Sequence, residues 1–187
     1  LEEGKAKLDQ NVVVTPLAMG QDGTNIGVRP DMPISLHQLL YGMMLISGND
    51  AAVVTAETVG GSYGRFVEMM NEEALALGMT GTHFINPHGL HDGSHYTTAY
   101  DVYLMLNEAF RYSAFTDAIQ MNMYHLKVTR GDGSQVSFRL DSTDKYLTGE
   151  KTAPKNVNLL GGKTGTTSEA GACLAIIAQN AYGVPYM

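Results

Sequence analysis

Cysteine is almost absent from these 187 residues: Cys173 stands alone, so there is no internal disulfide and no Cys-rich zinc module. Positive charge is scarce. Twelve Lys and Arg face nineteen Asp and Glu, a formal net charge of −7, which argues against a nucleic-acid binder that would need a basic face to displace counterions. No apolar run reaches the roughly 18–20 residues of a membrane span. Internal repeats and low-complexity linkers are missing as well. Hydrophobic residues make up 44% of the chain and charged residues only 17%, enough to bury a core. The length suits one domain of ordinary size.

The chain opens on Leu1-Glu2-Glu3-Gly4 without an initiator Met or a signal peptide, and these residues read as the last turn of a helix with its glycine stop. It closes on Val184-Pro185-Tyr186-Met187, the start of a further element. Both ends are expected to be cuts through a larger domain.

Between them, Val12–Leu17 is β-branched and predicts a short strand, and Gly20–Pro33 is a loop punctuated by glycine and proline. Ser35 is positioned to cap a helix from Leu36 to about Ile46, whose face of Leu36, Leu39, Leu40, Met43 and Met44 is wide and apolar. Ser47-Gly48-Asn49 breaks it. Helix resumes over Asp50–Val59, stops at Gly60-Gly61, and starts again after Ser62 with Phe66, Met69, Met70, Ala74 and Leu77 inward. The four methionines in these helices read as core filling.

Thr82–Tyr96 is irregular. His83, His88, His91, His95 and Asp92 crowd it, yet their spacing matches no standard zinc motif, so a structural loop is expected and no metal. Thr98 with Asp101 resembles a capping box opening a helix to about Arg111, and a shorter helix follows over Ser113–Met121. Tyr124–Thr129 and Gln135–Leu140 alternate around Gly131-Asp132-Gly133, a hairpin signal. After a polar loop over Asp141–Asn156, Leu159–Thr166 and Ala172–Ala178 predict a second hairpin turning at Ser168–Gly171. Helices in the middle and strands late predict an α+β fold.

Gly162-Lys163-Thr164 first suggests a phosphate loop, G-x-x-x-x-G-K-[ST]. Val157 stands where its first glycine belongs, and a strand-like run follows where a helix is needed. The other setting for K-T-G is the penicillin-recognising serine enzymes, in which S-x-x-K, S-x-N and K-T-G occur in that order. Ser47-Gly48-Asn49 precedes Lys163-Thr164-Gly165 and falls at a break between helices. Taken singly, Ser47 and Asn49 would be helix caps and Lys163 a residue of a solvated turn; the ordered pair is what raises them to candidates.

The surrounding wording carries a family resemblance. Gln38 to Ala52 resembles the second-motif region of the D-alanyl-D-alanine carboxypeptidases, the low-molecular-mass penicillin-binding proteins. So do Met70-Asn71, Ala76-Leu77-Gly78-Met79, Thr82-His83-Phe84 and His88-Gly89-Leu90. Gly161 to Thr167 with Ala170-Gly171 resembles the third-motif strand and turn. The resemblance implies a β-lactamase/transpeptidase-like fold: a helical subdomain with part of an antiparallel sheet. It makes residues 1–187 a partial domain without its N-terminal S-x-x-K segment and its last strands. Within residues 1–46 there is no S-x-x-K. The sole literal match, Ser142-Thr143-Asp144-Lys145, lies in the polar loop and reads as coincidence, because a nucleophile needs a rigid helix N-terminus beneath it.

The activity implied is hydrolysis of peptidoglycan stem peptides ending in D-Ala-D-Ala through an acyl-enzyme. In it Ser47 relays a proton, Asn49 contacts the substrate peptide and Lys163 supplies charge. Thr164 bonds the terminal carboxylate, Gly165 admits the substrate backbone, and the Thr166 N–H serves as oxyanion donor. Lacking the nucleophile, this chain alone is expected to be inactive. β-Lactams are the implied inhibitors of the whole domain, with no cofactor and a place in the cell envelope or outside the cell; a membrane would enter only through segments absent here. Two other readings stay open. A class A-like β-lactamase is disfavoured because E-x-x-L-N does not occur; a non-catalytic module that binds cell-wall peptides is the second.

Overall fold

The structure is a computed structural model that describes residues 6–187; the helix end expected at Leu1–Gly4 lies outside them. Five helices come first: α1 (Leu36–Ile46), α2 (Asn49–Gly60), α3 (Tyr63–Ala76), α4 (Ala99–Ala109) and α5 (Ser113–Ile119). The strands β1 (Met123–Thr129), β2 (Gln135–Asp141), β3 (Val157–Thr167), β4 (Gly171–Asn180) and β5 (Pro185–Tyr186) follow. β1 and β2 form an antiparallel hairpin, and β3-β4-β5 form a second antiparallel sheet with β3 at one edge. The α+β reading holds, and both hairpins stand where the alternation put them.

α1 starts in a full capping box. Ser35 Oγ accepts the Gln38 N–H at 3.2 Å, and Gln38 Oε1 accepts the Ser35 N–H at 3.0 Å. Gln38 Nε2 also donates to Lys127 O at 3.0 Å, tying the helix start to β1. Leu36, Leu39, Tyr41 and Leu45 are buried, with Met43 and Met44 packed against the same core of Val12, Val14, Ile34, Val53, Val54, Leu126 and Leu140. A smaller cluster of Leu106, Ile119 and Ile177 joins α4 and α5 to β4.

Three local expectations need correction. Val12–Leu17 is no strand: Asn11 makes one isolated bridge to Ser35, Val12 N–H bonds Ile34 O at 2.9 Å, and a turn from Thr15 to Ala18 ends the extension. The inward face of α3 is only half-buried apart from Ala74, because this helix packs on α2 at the periphery. The Thr98–Asp101 box is half a box. Thr98 Oγ1 accepts the Asp101 N–H at 3.1 Å, but the buried Asp101 carboxylate turns instead to Gly81 N–H at 2.9 Å and Thr82 Oγ1 at 2.6 Å, bracing the His-rich loop.

β3 reaches its place through two glycines. A bulge interrupts its pairing with β4 between Leu159 and Gly161. Gly161 has φ +142°, and a Cβ there would lie 2.3 Å from Ile119 O at the end of α5. A Cβ on Gly162 would lie 2.5 Å from Ala175 O. Backbone thus packs directly on backbone immediately before Lys163, at Gly161 against the end of α5 and at Gly162 against β4.

Candidate active site

Ser47 ends α1 in the left-handed region, φ 59° and ψ 46°, which costs a non-glycine residue roughly 1–2 kcal/mol. The corner is held by Ser47 N–H on Met43 O at 3.1 Å and Gly48 N–H on Gly42 O at 3.0 Å. Gly48 is closely enclosed: a Cβ would meet Ile26 Cγ2 at 3.1 Å and Asp50 Oδ1 and Gly42 O at 3.3 Å, so these neighbours would have to shift slightly to admit one. At this corner Lys163 Nζ donates a hydrogen bond to Ser47 Oγ. Neither Ser47 nor Asn49 caps a helix through its side chain: Gly48 is the N-cap of α2, and Asn49 is its first residue.

Asn49 is buried and donates Nδ2 to Asp22 O at 2.6 Å, while its N–H bonds Thr24 O at 2.7 Å. That arrangement depends on Asp50, only 2% exposed. Its Oδ1 accepts from Ile26 N at 3.0 Å and Ala51 N at 2.8 Å; its Oδ2 accepts from Gly27 N at 2.8 Å and Val28 N at 3.0 Å. One carboxylate thereby folds the 20–33 loop over the start of α2 and brings the Asp22 carbonyl to Asn49. Buried charge of this kind is stable only when every lone pair is occupied.

Across the cleft, Lys163 is half-buried and donates also to Thr164 O at 2.6 Å. Both of these acceptors are neutral oxygens, and burial holds the ammonium below the ordinary lysine pKa. Thr164 Oγ1 lies 2.5 Å from Thr143 Oγ1. A Cβ on Gly165 would meet only Cys173 Cβ, at 3.8 Å, so the fold itself does not demand this glycine.

All six residues singled out in the sequence, Ser47, Asn49, Lys163, Thr164, Gly165 and Thr166, line one cavity of about 460 Å³, together with Gly23, Thr24 and the His88–Leu90 corner. An ammonium bonded to a hydroxyl, beside a carboxamide and a free strand edge, can hold a proton, attract an anion and align an extended peptide. Ser142 and Lys145 form no such pair. Ser142 Oγ accepts the Asp144 N–H at 3.2 Å, and Lys145 Nζ faces Glu150 at 3.7 Å. The histidines serve the loop. His95 Nδ1 accepts the Ile85 N–H at 3.2 Å, His88 Nδ1 accepts the Leu90 N–H at 3.3 Å, and His83 Nδ1 lies 2.7 Å from Ser94 O. Among the described residues no three His, Cys, Asp or Glu side chains converge as a metal site. Asp50 and Thr143 are the site-shaping residues that sequence reasoning missed. Asp50 carries no local signal beyond its position after Asn49, and Thr143 sits in a loop with none.

This fold is that of the DD-peptidase and transpeptidase structures, with their β-lactamase-like architecture. The crystal structure of the Streptomyces K15 DD-transpeptidase superposes with a TM-score of 0.82 at 27% identity, over 93% of this chain and 68% of that one. Penicillin-binding protein 5 of Haemophilus influenzae gives 0.83 at 26% identity, over 99% and 51%. The chain belongs to the D-alanyl-D-alanine carboxypeptidase family, whose profile matches residues 1–183. It is 33% identical over 187 residues to the D-alanyl-D-alanine carboxypeptidase DacF of Bacillus subtilis, and 27% identical over 179 residues to DacA of Haemophilus influenzae. It spans 43% and 41% of the length of these two relatives.

Proposed function

We propose that the complete protein is a serine-type D-alanyl-D-alanine carboxypeptidase of the cell envelope, cleaving the terminal D-Ala from peptidoglycan stem peptides and captured by β-lactams. The observation that carries this reading is the Lys163–Ser47 hydrogen bond inside a cavity that also holds Asn49 and the Thr164–Thr166 strand edge. The nucleophile is a serine of an S-x-x-K motif, which does not occur in residues 1–46. Its hydroxyl attacks the penultimate carbonyl, its lysine serves as base, the terminal D-Ala leaves, and water releases the acyl group.

Ser47 passes the proton to the leaving nitrogen. Lys163 keeps the Ser47 oxygen supplied with a donor and adds positive charge where the substrate carboxylate arrives. Asn49 has one N–H committed to Asp22 O, leaving its second N–H and its Oδ1 for the substrate amide. Thr164 bonds the carboxylate, Gly165 leaves space for the substrate backbone against the β3 edge, and Thr166 N–H is one oxyanion donor.

Intact-mass analysis with penicillin tests the proposal. The complete gene product gains one stoichiometric acyl adduct, and K163A slows its formation by about 10²–10³-fold, the loss typical of one transition-state donor. The 187-residue chain alone gains none. No adduct on the complete product sinks the enzyme reading in favour of a non-catalytic peptide-binding module; an adduct that turns over rapidly, with no release of D-Ala from peptides, favours a β-lactamase.

A further inference from the structure

The loop between β2 and β3 contains a clasp at Thr143, inside the coincidental S-x-x-K match but unrelated to that pattern. Both donors of Thr143 point at the end of α1: its N–H reaches Leu45 O at 3.0 Å and its hydroxyl reaches the same carbonyl at 3.2 Å. The hydroxyl also lies 2.5 Å from Thr164 Oγ1. One exposed side chain therefore ties the segment two residues before Ser47 to the strand that carries Lys163.

A hydroxyl has one proton to give and two lone pairs. When Thr143 gives its proton to Leu45 O, Thr164 must give its own to Thr143, and Thr164 shows the cavity only lone pairs. An anion is repelled by that state. When Thr143 gives its proton to Thr164 instead, the Thr164 O–H is free to point into the cavity. Leu45 O is not orphaned by the exchange, because it keeps the Thr143 N–H. The switch gives up the longer bond and keeps the shorter one. The cavity on this side, about 540 Å³, is lined by Ser47, Thr143, Thr164 and Thr166 with Asp144, Lys145 and Lys151; Lys145 faces Glu150 at 3.7 Å, so Lys151 is the cation on this wall that an anionic ligand group would meet.

We propose that Thr143 is a positioning residue for the carboxylate of a bound peptide: it fixes the Thr164 hydroxyl and donates into it, so that Thr164 offers a polarised O–H to the anion. This rests on the reading that Thr164 receives a substrate carboxylate. Two hydroxyls in series polarise one another, so the second is a better donor than a lone threonine.

The test uses the complete gene product and its T143V, T143A and T143S variants. For each, kcat and KM are measured for D-Ala release from an N-acyl-D-alanyl-D-alanine peptide, and Ki for the same peptide ending in an amide. T143V and T143A are expected to raise KM about five-fold with kcat within about two-fold, to leave the amide Ki unchanged, and T143S to match the parent. Because Thr143 is exposed, neither V nor A empties the core, and melting temperatures verify this. A serine variant as weak as valine overturns the proposal, as does equal weakening of acid and amide, which would mark a merely structural clasp. A parent that releases no D-Ala overturns the enzyme reading and this inference with it; an active parent with an unaffected T143V overturns this inference alone.

Discussion

On the helical side of the cavity, Asp50 spends both carboxylate oxygens on four backbone N–H groups and so fixes the loop that orients Asn49. On the sheet side, Lys163 is placed by Gly161 and Gly162, where neighbouring backbone leaves no room for a side chain. The first wall is built by satisfying a buried charge, the second by close approach. The first fails when a partner is taken away, the second when an atom is added. Truncation and enlargement should therefore act on opposite walls of one cleft, and substitution can test that.

The largest effect belongs to D50A. Three loop N–H groups and the Ala51 N–H lose their acceptor, and at about 1–3 kcal/mol for each buried orphan the net loss, partly relieved by water, is about 4 kcal/mol in urea unfolding. A loss below 1 kcal/mol would show that the loop holds without its clamp. G161A comes next, at about 3 kcal/mol, because the new Cβ meets Ile119 O and φ +142° is foreign to alanine. S35A, which removes the α1 cap and half of its reciprocal box, costs about 1 kcal/mol.

Acidification comes after these. Burial lowers the pKa of both His88 and His95; neighbouring imidazoles add to the lowering, and Asp92 opposes it at His95. A folded-state pKa below the ordinary value means that the unfolded chain binds the proton more readily. Stability therefore falls as pH drops below about 6.5 and levels off beneath the folded-state values. Melting temperatures between pH 8 and pH 5 follow this, and a double substitution H88Q/H95Q flattens the profile. The smallest effect is G165A, within about 0.5 kcal/mol, since its Cβ meets only Cys173 Cβ. Set beside G161A on the same strand, it separates a glycine required by the fold from one that leaves space at the cleft.

Much of this was legible because the signals were local. Ser35 as a cap, the Gly60-Gly61 stop, the two alternating hairpins and the ordered S-x-N and K-T-G strings act over a few residues, and all name elements near where they stand; the Gln38 half of the α1 box came only from the structure. What escaped depends on contacts far along the chain. Asp50 reads as an ordinary acidic residue in a first helical turn until the 20–33 loop is folded onto it. Thr143 reads as loop until Leu45 and Thr164, 98 and 21 residues away, close around its hydroxyl. The strand expected at Val12–Leu17 failed because β-branching rewards burial as much as pairing: Val12 and Val14 are buried, but only one bridge forms beside them.

Cys173 is the sole thiol of the chain; it is exposed, lies opposite Gly165 in the β3–β4 register, and borders the cavity of Thr143 and Thr164. A maleimide dye reacts at one address without any engineered substitution. A fluorophore there senses polarity at the rim of the cleft, so emission would report in real time whether an added ligand enters it, even in a polypeptide that performs no chemistry.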